Sequence, residues 1–253
     1  MSKVYSIPSN TRVYAVGDIH GYPDALDALH KKIESDIAGD PIDRVQIVYL
    51  GDYIDRGPDS KGVIDRLVDR ELYAPTIEHV FLLGNHEDAM TSYIDGDADA
   101  SGMHFDWLKY GGIETLESYG IEPDMGVTQE ARVAQISAEL EEKMPTSHKE
   151  FFKNLKLYHE VGGYLFVHAG IKPGVKLQKQ VKQDMTFTRE PFMSYEKLHP
   201  WRVVHGHTPP KDRQVDIRPN RINVDTGHYM GGPLSALVVE GEDVRVLDVL
   251  HQT

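Results

Sequence analysis

Gly51-Asp52-Tyr53-Ile54-Asp55-Arg56-Gly57 stands directly after an apolar run, RVQIVYL, over residues 44–50. A short apolar run closed by glycine reads as a buried strand. The two carboxylates and the guanidinium therefore lie just past a strand's carboxyl end. The same arrangement recurs on either side. Upstream, residues 12–17 lead into Gly17-Asp18-Ile19-His20-Gly21. Downstream, residues 78–83 (EHVFLL) lead into Gly84-Asn85-His86-Glu87. Helical patterns fill the gaps. One starts near Pro23 with Leu26, Leu29 and Ile33 on one face. Another follows Pro58-Asp59-Ser60 with Val63, Ile64, Leu67 and Val68, and a third starts at about Glu87. This is βαβαβ, which predicts a largely parallel sheet with covering helices. Open α/β sheets place ligands beyond the carboxyl ends of their strands, where these motifs sit.

Further along, residues 95–102 (DGDADASG) read as a solvated turn; they lack the later Glu and the spacing of a calcium-binding EF-hand loop. Residues 107–152 read as an irregular helical insertion that caps the sheet. Strands are predicted again at 164–167, 202–204, 221–224, 234–239 and 244–249, the last two joined across Glu240-Gly241-Glu242-Asp243 as a hairpin. His168-Ala169-Gly170 and Gly206-His207-Thr208 each follow one of them. The expected organisation is one domain over residues 1–253 with a mostly helical insertion at about 95–160.

The 253 residues are 40% hydrophobic and 26% charged, as in ordinary globular proteins. The formal charge of −13 argues against general binding to nucleic acid or anionic membrane. The absence of cysteine excludes disulfides, thiolate–zinc sites and a cysteinyl-phosphate mechanism. The first residues lack a basic stretch followed by an apolar run, and no apolar stretch has membrane-spanning length, so a cytoplasmic location is expected.

Asp18 and His20 stand two apart on a turn bounded by glycines, so both side chains can face one ion. Asp52, with two oxygens, can bridge two ions. Asn85 offers a carbonyl oxygen, and His168 and His207 offer neutral imidazole nitrogens. Oxygen and nitrogen donors without sulfur suit manganese, iron, zinc or magnesium. Each motif alone has an ordinary explanation: a surface Asp-x-His, a helix cap at Asn85, a core histidine at 168. Five in this order point to two divalent metals beside a phosphate. His30, His79, His104, His148, His159, His199 and His251 fit no motif and read as structural. His205 and His228 adjoin the motifs and are candidates for lining the site.

These motifs resemble the phosphoprotein phosphatase branch of the calcineurin-like metallophosphoesterases, over about residues 12–239. Within it they are most similar to the bacterial and phage serine/threonine protein phosphatases, with symmetrical dinucleoside tetraphosphatases as near relatives. The resemblance implies a β-sandwich of mixed, largely parallel sheets flanked by helices. It implies that Asp18, His20 and Asp52 hold one metal, and that Asn85, His168 and His207 complete a second, bridged by Asp52. Two divalent ions follow, manganese first, with iron, zinc or magnesium as alternatives. His86 resembles the family's general acid and Asp55 the carboxylate that orients it. Arg56 resembles a phosphate-binding arginine, and Thr188-Arg189-Glu190-Pro191 matches the place of a second, so Arg56, Arg189 and Asn85 are expected to bind substrate. Arg202 is the competing arginine. Asp225-Thr226-Gly227 matches a segment behind the metals. The chain has Thr208-Pro209 where the wider group carries a second histidine, and His228 where a small residue is expected.

The leading expectation is a phosphomonoesterase acting on phosphoserine or phosphothreonine in proteins, or on a small phosphoester, by direct attack of a metal-bridging hydroxide on phosphorus. The enzymatic alternative is dinucleoside tetraphosphate hydrolysis, which uses the same ligands. A non-catalytic metal-stabilised binding protein would be expected to have lost a ligand or the acid, and none is lost here. No nucleic acid, membrane or regulatory subunit is implied as a partner.

Overall fold

The computed structural model describes residues 4–73, 77–95 and 106–251. Among these residues ten strands form two five-stranded sheets. In the first, β1 (Thr11–Val16) lies between β2 (Arg44–Tyr49) and β9 (Leu234–Glu240). The short β3 (Glu78–Phe81) and β10 (Asp243–Val249) form its edges. The β1–β2–β3 pairings are parallel and those of β9 and β10 antiparallel. The second sheet runs β4 (Tyr158–Val161), β5 (Tyr164–Val167), β6 (Arg202–His205), β8 (Arg221–Asn223), β7 (Asp216–Ile217). Its β5–β6–β8 centre is parallel and its two edges antiparallel. Both sheets are thus mixed, with parallel strands where the motifs emerge.

Side chains alternate across a strand, and the alternation builds three apolar layers. Val13, Ala15, Val48, Leu50 and Leu237 of the first sheet meet Tyr164, Phe166, Val204 and Ile222 of the second, so the sheets pack face to face. The opposite phase of the first sheet, Tyr14, Val16, Ile47, Tyr49 and Val238, packs on helices α1 (Pro23–Gly39) and α2 (Ser60–Tyr73). These contribute Leu26, Leu29 and Ile33, and Val63, Ile64 and Leu67, respectively. The outer face of the second sheet, Leu165, Val167 and Val203, is covered by Ile171, Leu177, Met185 and Phe192. β1 is buried along its whole length, so after Thr11 and Arg12 it continues as the run Val13–Val16 without polar alternation.

Helix α3 (Asn85–Ile94) follows β3. After it the insertion is helical where it is described: a 3₁₀ turn at Trp107–Tyr110, then α4 (Gly112–Ser118), α5 (Gln129–Lys143) and α6 (Thr146–Lys153). The acidic stretch at 96–102 and His104 lie outside the described residues. The β9–β10 hairpin forms as expected, with Gly241 at φ 57° in its two-residue turn. Among the described residues, two strands and one α-helix have no counterpart in the sequence reading: β4, the two-residue β7, and helix α7 (Lys182–Phe187). β4 and β7 are polar edge strands, and α7 is under two turns long; none carries enough periodicity to announce itself. Among the described residues no helix is long and apolar enough to cross a membrane.

Candidate active site

The turns after β1 and β2, the start of α3 and the turns after β5 and β6 meet at one end of the sandwich. Backbone bonds tie them to one another. Ile19 and His20 N–H donate to the Asp52 carbonyl at 3.0 and 2.9 Å, and Gly206 N–H donates to the His168 carbonyl at 2.7 Å. The pocket they enclose has a volume of about 310 Å³. Asp18, His20, Asp52, Arg56, Asn85, His86, Arg189 and His207 line it, with Tyr110, Phe187, Pro209, Asp225 and Tyr229. His168 stands just behind, fully buried.

Asp52 faces two clusters. Its Oδ1 lies 3.4 Å from His168 Nε2, and its Oδ2 lies 3.6 Å from His20 Nε2. On the first side Asn85 Oδ1 is 2.9 Å from His168 Nε2 and 2.6 Å from His207 Nδ1. On the other, His20, Asp52 and His86 bring donor atoms within 4.8 Å of one another, and Asp52, His168 and His207 do the same. Donor atoms 2.6–3.6 Å apart are close enough to be shared by one cation. Two imidazoles are already turned for the task. His20 and His168 each place Nδ1 2.9 Å from a backbone carbonyl, of Ile54 and Leu50, so Nδ1 carries the proton and Nε2 faces inward. Asp18 lines the same pocket from a different direction. Its carboxylate accepts the His207 N–H at 3.0 Å and shares a hydrogen bond with Asp225.

Burial dominates the electrostatics. It pushes Asp18 well above the usual carboxylate range, and Asp225 and Asp52 add repulsion. It lifts Asp225 to about 7 and Glu87 to about 8. Asp52 is the exception, because the surrounding histidines outweigh its burial and lower it. Burial also lowers His20, His168 and His207, keeping these imidazoles neutral with lone pairs to offer. Neutral imidazoles beside desolvated carboxylates and a carboxamide oxygen fit divalent cations, whose charge would offset the cost of burying the carboxylates. The Nε2 of His207 is buried without a hydrogen-bond partner.

The backbone is strained at the same places. His20, Asp52, Asp55, Arg56 and His207 have φ of 49, 53, 73, 70 and 69°, five of the seven non-glycine residues with positive φ among those described. Such conformations persist only where the surroundings impose them, and they gather at functional sites. Glu87 is part of that constraint. Its carboxylate accepts the N–H groups of Asp52, Tyr53 and Gly84 at 2.9, 2.8 and 3.0 Å.

His86 Nδ1 lies 2.6 Å from Asp55 Oδ2, and its Nε2 lies 3.1 Å from Arg56 Nη2. Burial pulls the His86 imidazolium down, but Asp52 and Asp55 reverse this and the net shift is upward. The Arg56 guanidinium stacks on the Tyr229 ring, 4.0 Å from its centroid. Arg189 reaches the pocket, whereas Arg202 donates to the Arg218 carbonyl elsewhere. His205 is fully buried with its ring against Phe192, and His228 packs against Tyr22 and His251; neither lines the pocket. The rim residue is instead Tyr229, beside His228. Tyr229, Tyr110 and Phe187 are pocket residues that sequence reading missed. No motif marks a lone aromatic, though Tyr229 stands in the glycine-flanked stretch after Asp225-Thr226-Gly227.

The family model for calcineurin-like phosphoesterases matches residues 11–246. The asymmetrical bis(5'-nucleosyl)-tetraphosphatase PrpE of Anoxybacillus flavithermus is 28% identical over 244 residues, covering 88% of this chain and 88% of that protein. The protein of the same name from Bacillus subtilis is 27% identical, covering 87% of each. A solved structure described as a candidate diadenosine tetraphosphatase aligns at TM-score 0.62 and 21% identity over 98% of this chain and 100% of that one. A serine/threonine phosphatase from Saccharomyces cerevisiae aligns at TM-score 0.53 and 14% identity over 96% of this chain and 82% of that one, a likeness of fold. The chain belongs to the calcineurin-like phosphoesterase family.

Proposed function

We propose that this calcineurin-like phosphoesterase hydrolyses a phosphoanhydride bond of a dinucleoside polyphosphate in preference to a phosphoserine or phosphothreonine ester. The observation that carries this choice is the company the two arginines keep. Arg56 and Arg189 share their pocket with the rings of Tyr110, Phe187 and Tyr229. Guanidinium groups suit a chain of phosphates, and aromatic faces suit a nucleobase. The activity named for the bacterial relatives supports the same choice. This reverses the order of the two enzymatic expectations. Both use the same metal ligands, and only the pocket's rim can separate them.

In this reading Asp18, His20 and Asp52 hold one divalent ion, and Asp52, Asn85, His168 and His207 the other. Bound ions would supply activation of water near neutral pH and charge to hold phosphate oxygens. Arg56 and Arg189 bind the non-reacting oxygens and stabilise charge that grows in the transition state. Substrate phosphate competes for Arg56 Nη2, which frees His86 Nε2. Once freed, Nε2 takes up a proton from solvent, and His86 gives that proton to the leaving oxygen while Asp55 holds Nδ1.

Manganese-loaded protein should be assayed side by side on diadenosine tetraphosphate, a phosphoserine peptide and p-nitrophenyl phosphate, with nucleotide products separated. We expect the highest kcat/KM on diadenosine tetraphosphate. AMP with ATP would mark asymmetrical cleavage, and ADP alone symmetrical cleavage. A phosphopeptide preferred over the dinucleotide would restore the protein phosphatase reading.

A further inference from the structure

The carboxylate that supports His86 is itself held from outside the motifs. Asp55 is fully buried. Besides His86, two side chains among the described residues reach its carboxylate. Trp107 Nε1 donates at 2.8 Å to Oδ2 and 3.0 Å to Oδ1, and Thr115 Oγ1 donates at 2.6 Å to Oδ1. Both belong to the helical insertion, and both are fully buried. The Asp55 N–H is divided between Ser60 Oγ and Thr115 Oγ1, each at 2.9 Å. The two hydroxyls lie 2.9 Å apart. One set of directions satisfies every group. Ser60 donates to Thr115, and Thr115 accepts the Asp55 N–H and gives its own hydrogen to Oδ1.

The backbone closes around the same residues. Arg56 N–H donates to the Gly111 carbonyl at 3.3 Å. A Cβ at Gly111, whose φ is 107°, would come 2.3 Å from Arg56 N, and one at Gly112 would come 2.6 Å from the Trp107 ring. These two glycines let the segment from Trp107 to Thr115 wrap tightly around Asp55 and Arg56. Both of the wrapped residues hold positive φ, a conformation that needs such enforcement.

We propose that Trp107 and Thr115 are positioning residues for hydrolysis. They fix the Asp55 carboxylate so that Oδ2 faces His86 Nδ1, and this sets the edge of the imidazole that His86 presents to the pocket. Neither touches substrate. The torsion that turns an imidazole is soft, and a bond to the far nitrogen is what fixes the ring. A carboxylate free to rotate would fix nothing. The insertion therefore serves the chemistry as well as covering the sheet. This inference rests on His86 acting as the acid in the proposed reaction.

The test uses the metal-loaded 253-residue protein with phenyl phosphate and p-nitrophenyl phosphate. Phenolate is the poorer leaving group and depends more on the proton. His86→Asn sets the scale, since general acid catalysis contributes about 10²–10⁴-fold. Thr115→Val removes the hydroxyl, and Trp107→Phe removes the indole N–H. Each is expected to lower kcat on phenyl phosphate roughly tenfold more than on p-nitrophenyl phosphate, a fraction of the whole acid effect. KM and metal content should stay unchanged. Thr115→Ser, which keeps the hydroxyl, should return the ratio to that of the wild type. Equal losses on both substrates in Thr115→Val and Trp107→Phe, while His86→Asn still discriminates, would overturn the positioning role and leave the acid in place. No discrimination in His86→Asn would overturn both. A Thr115→Ser protein as impaired as Thr115→Val, or failure of Thr115→Val and Trp107→Phe alike to fold by circular dichroism, would assign these residues to packing instead. Preference for dinucleotides is read from other substrates and products, so its failure would leave this ratio untouched.

Discussion

Asp52 is where the two candidate ligand clusters touch. One oxygen faces His168 and the other His20, and Oδ1 also accepts the His86 N–H at 3.1 Å. A neutral amide at this position keeps the shape and loses the charge that both clusters face. Asp18 is engaged on one side only, with His207 N–H and Asp225. Asp52→Asn is therefore expected to bind fewer metal ions than Asp18→Asn and to lose more activity. Elemental analysis and turnover on one preparation check this. An Asp52→Asn protein that keeps two ions and near-normal rate would remove the bridging role. At this scale the candidate residues were legible in the sequence, because Asp, His and Asn at strand ends advertise their chemistry by type and spacing. Asp225 was noted only as a segment without a role. Its burial against Asp18 depends on where β8 ends relative to β1, and no local pattern encodes that.

The turn after β2 works because helix α3 holds it. Glu87, three residues into α3, gathers the N–H groups of Asp52, Tyr53 and Gly84. Gly84 can accept no side chain, since a Cβ there would lie 2.2 Å from Asp52 Oδ1. Removing the carboxylate leaves buried donors unpaired, at about 1–3 kcal/mol for each such group. Glu87→Ala should thus lower the melting temperature, at about 2–4 °C per kcal/mol for a chain of this size. It should also weaken metal binding, because the strained Asp52 turn loses its support. A Glu87→Ala protein with unchanged melting temperature and metal affinity would show that the turn holds its shape unaided. The strands and helices that carry motifs were legible because each pairs an apolar run with a glycine stop. Helix α7 was not, although it leads from Phe187 into Arg189. It spans Lys182–Phe187, too short for a periodic face, and is anchored by Met185 in the outer core and by Lys182 paired with Asp88 of α3 at 2.7 Å.

Across the whole molecule, the two sheets bring buried carboxylates together at one end with Arg56 and Arg189 as the nearby cations. A ligand that binds only the folded state stabilises it by mass action, about 2.7 kcal/mol at a hundred times its dissociation constant. Chelation should therefore lower the melting temperature as well as abolish activity. Added manganese should raise it with concentration, by about 5–11 °C at that level for one ion. Turnover or a melting temperature indifferent to metal, in protein shown metal-free by elemental analysis, would sink the metal-dependent reading. What the sequence by itself determined is the set of strand-end motifs, the parallel half of the first sheet and the class of chemistry. These reside in stretches of a few residues, where residue type and spacing are sufficient. Only the tertiary structure decided which arginine enters the pocket, that His205 and His228 stay out while Tyr110, Phe187 and Tyr229 line it, and that Trp107 and Thr115 reach back to Asp55. Each of these depends on packing between elements far apart in the chain, such as the 52 and 60 residues that separate Asp55 from Trp107 and Thr115. Packing of the insertion against the helical side of the first sheet sets those distances, and no local periodicity records them.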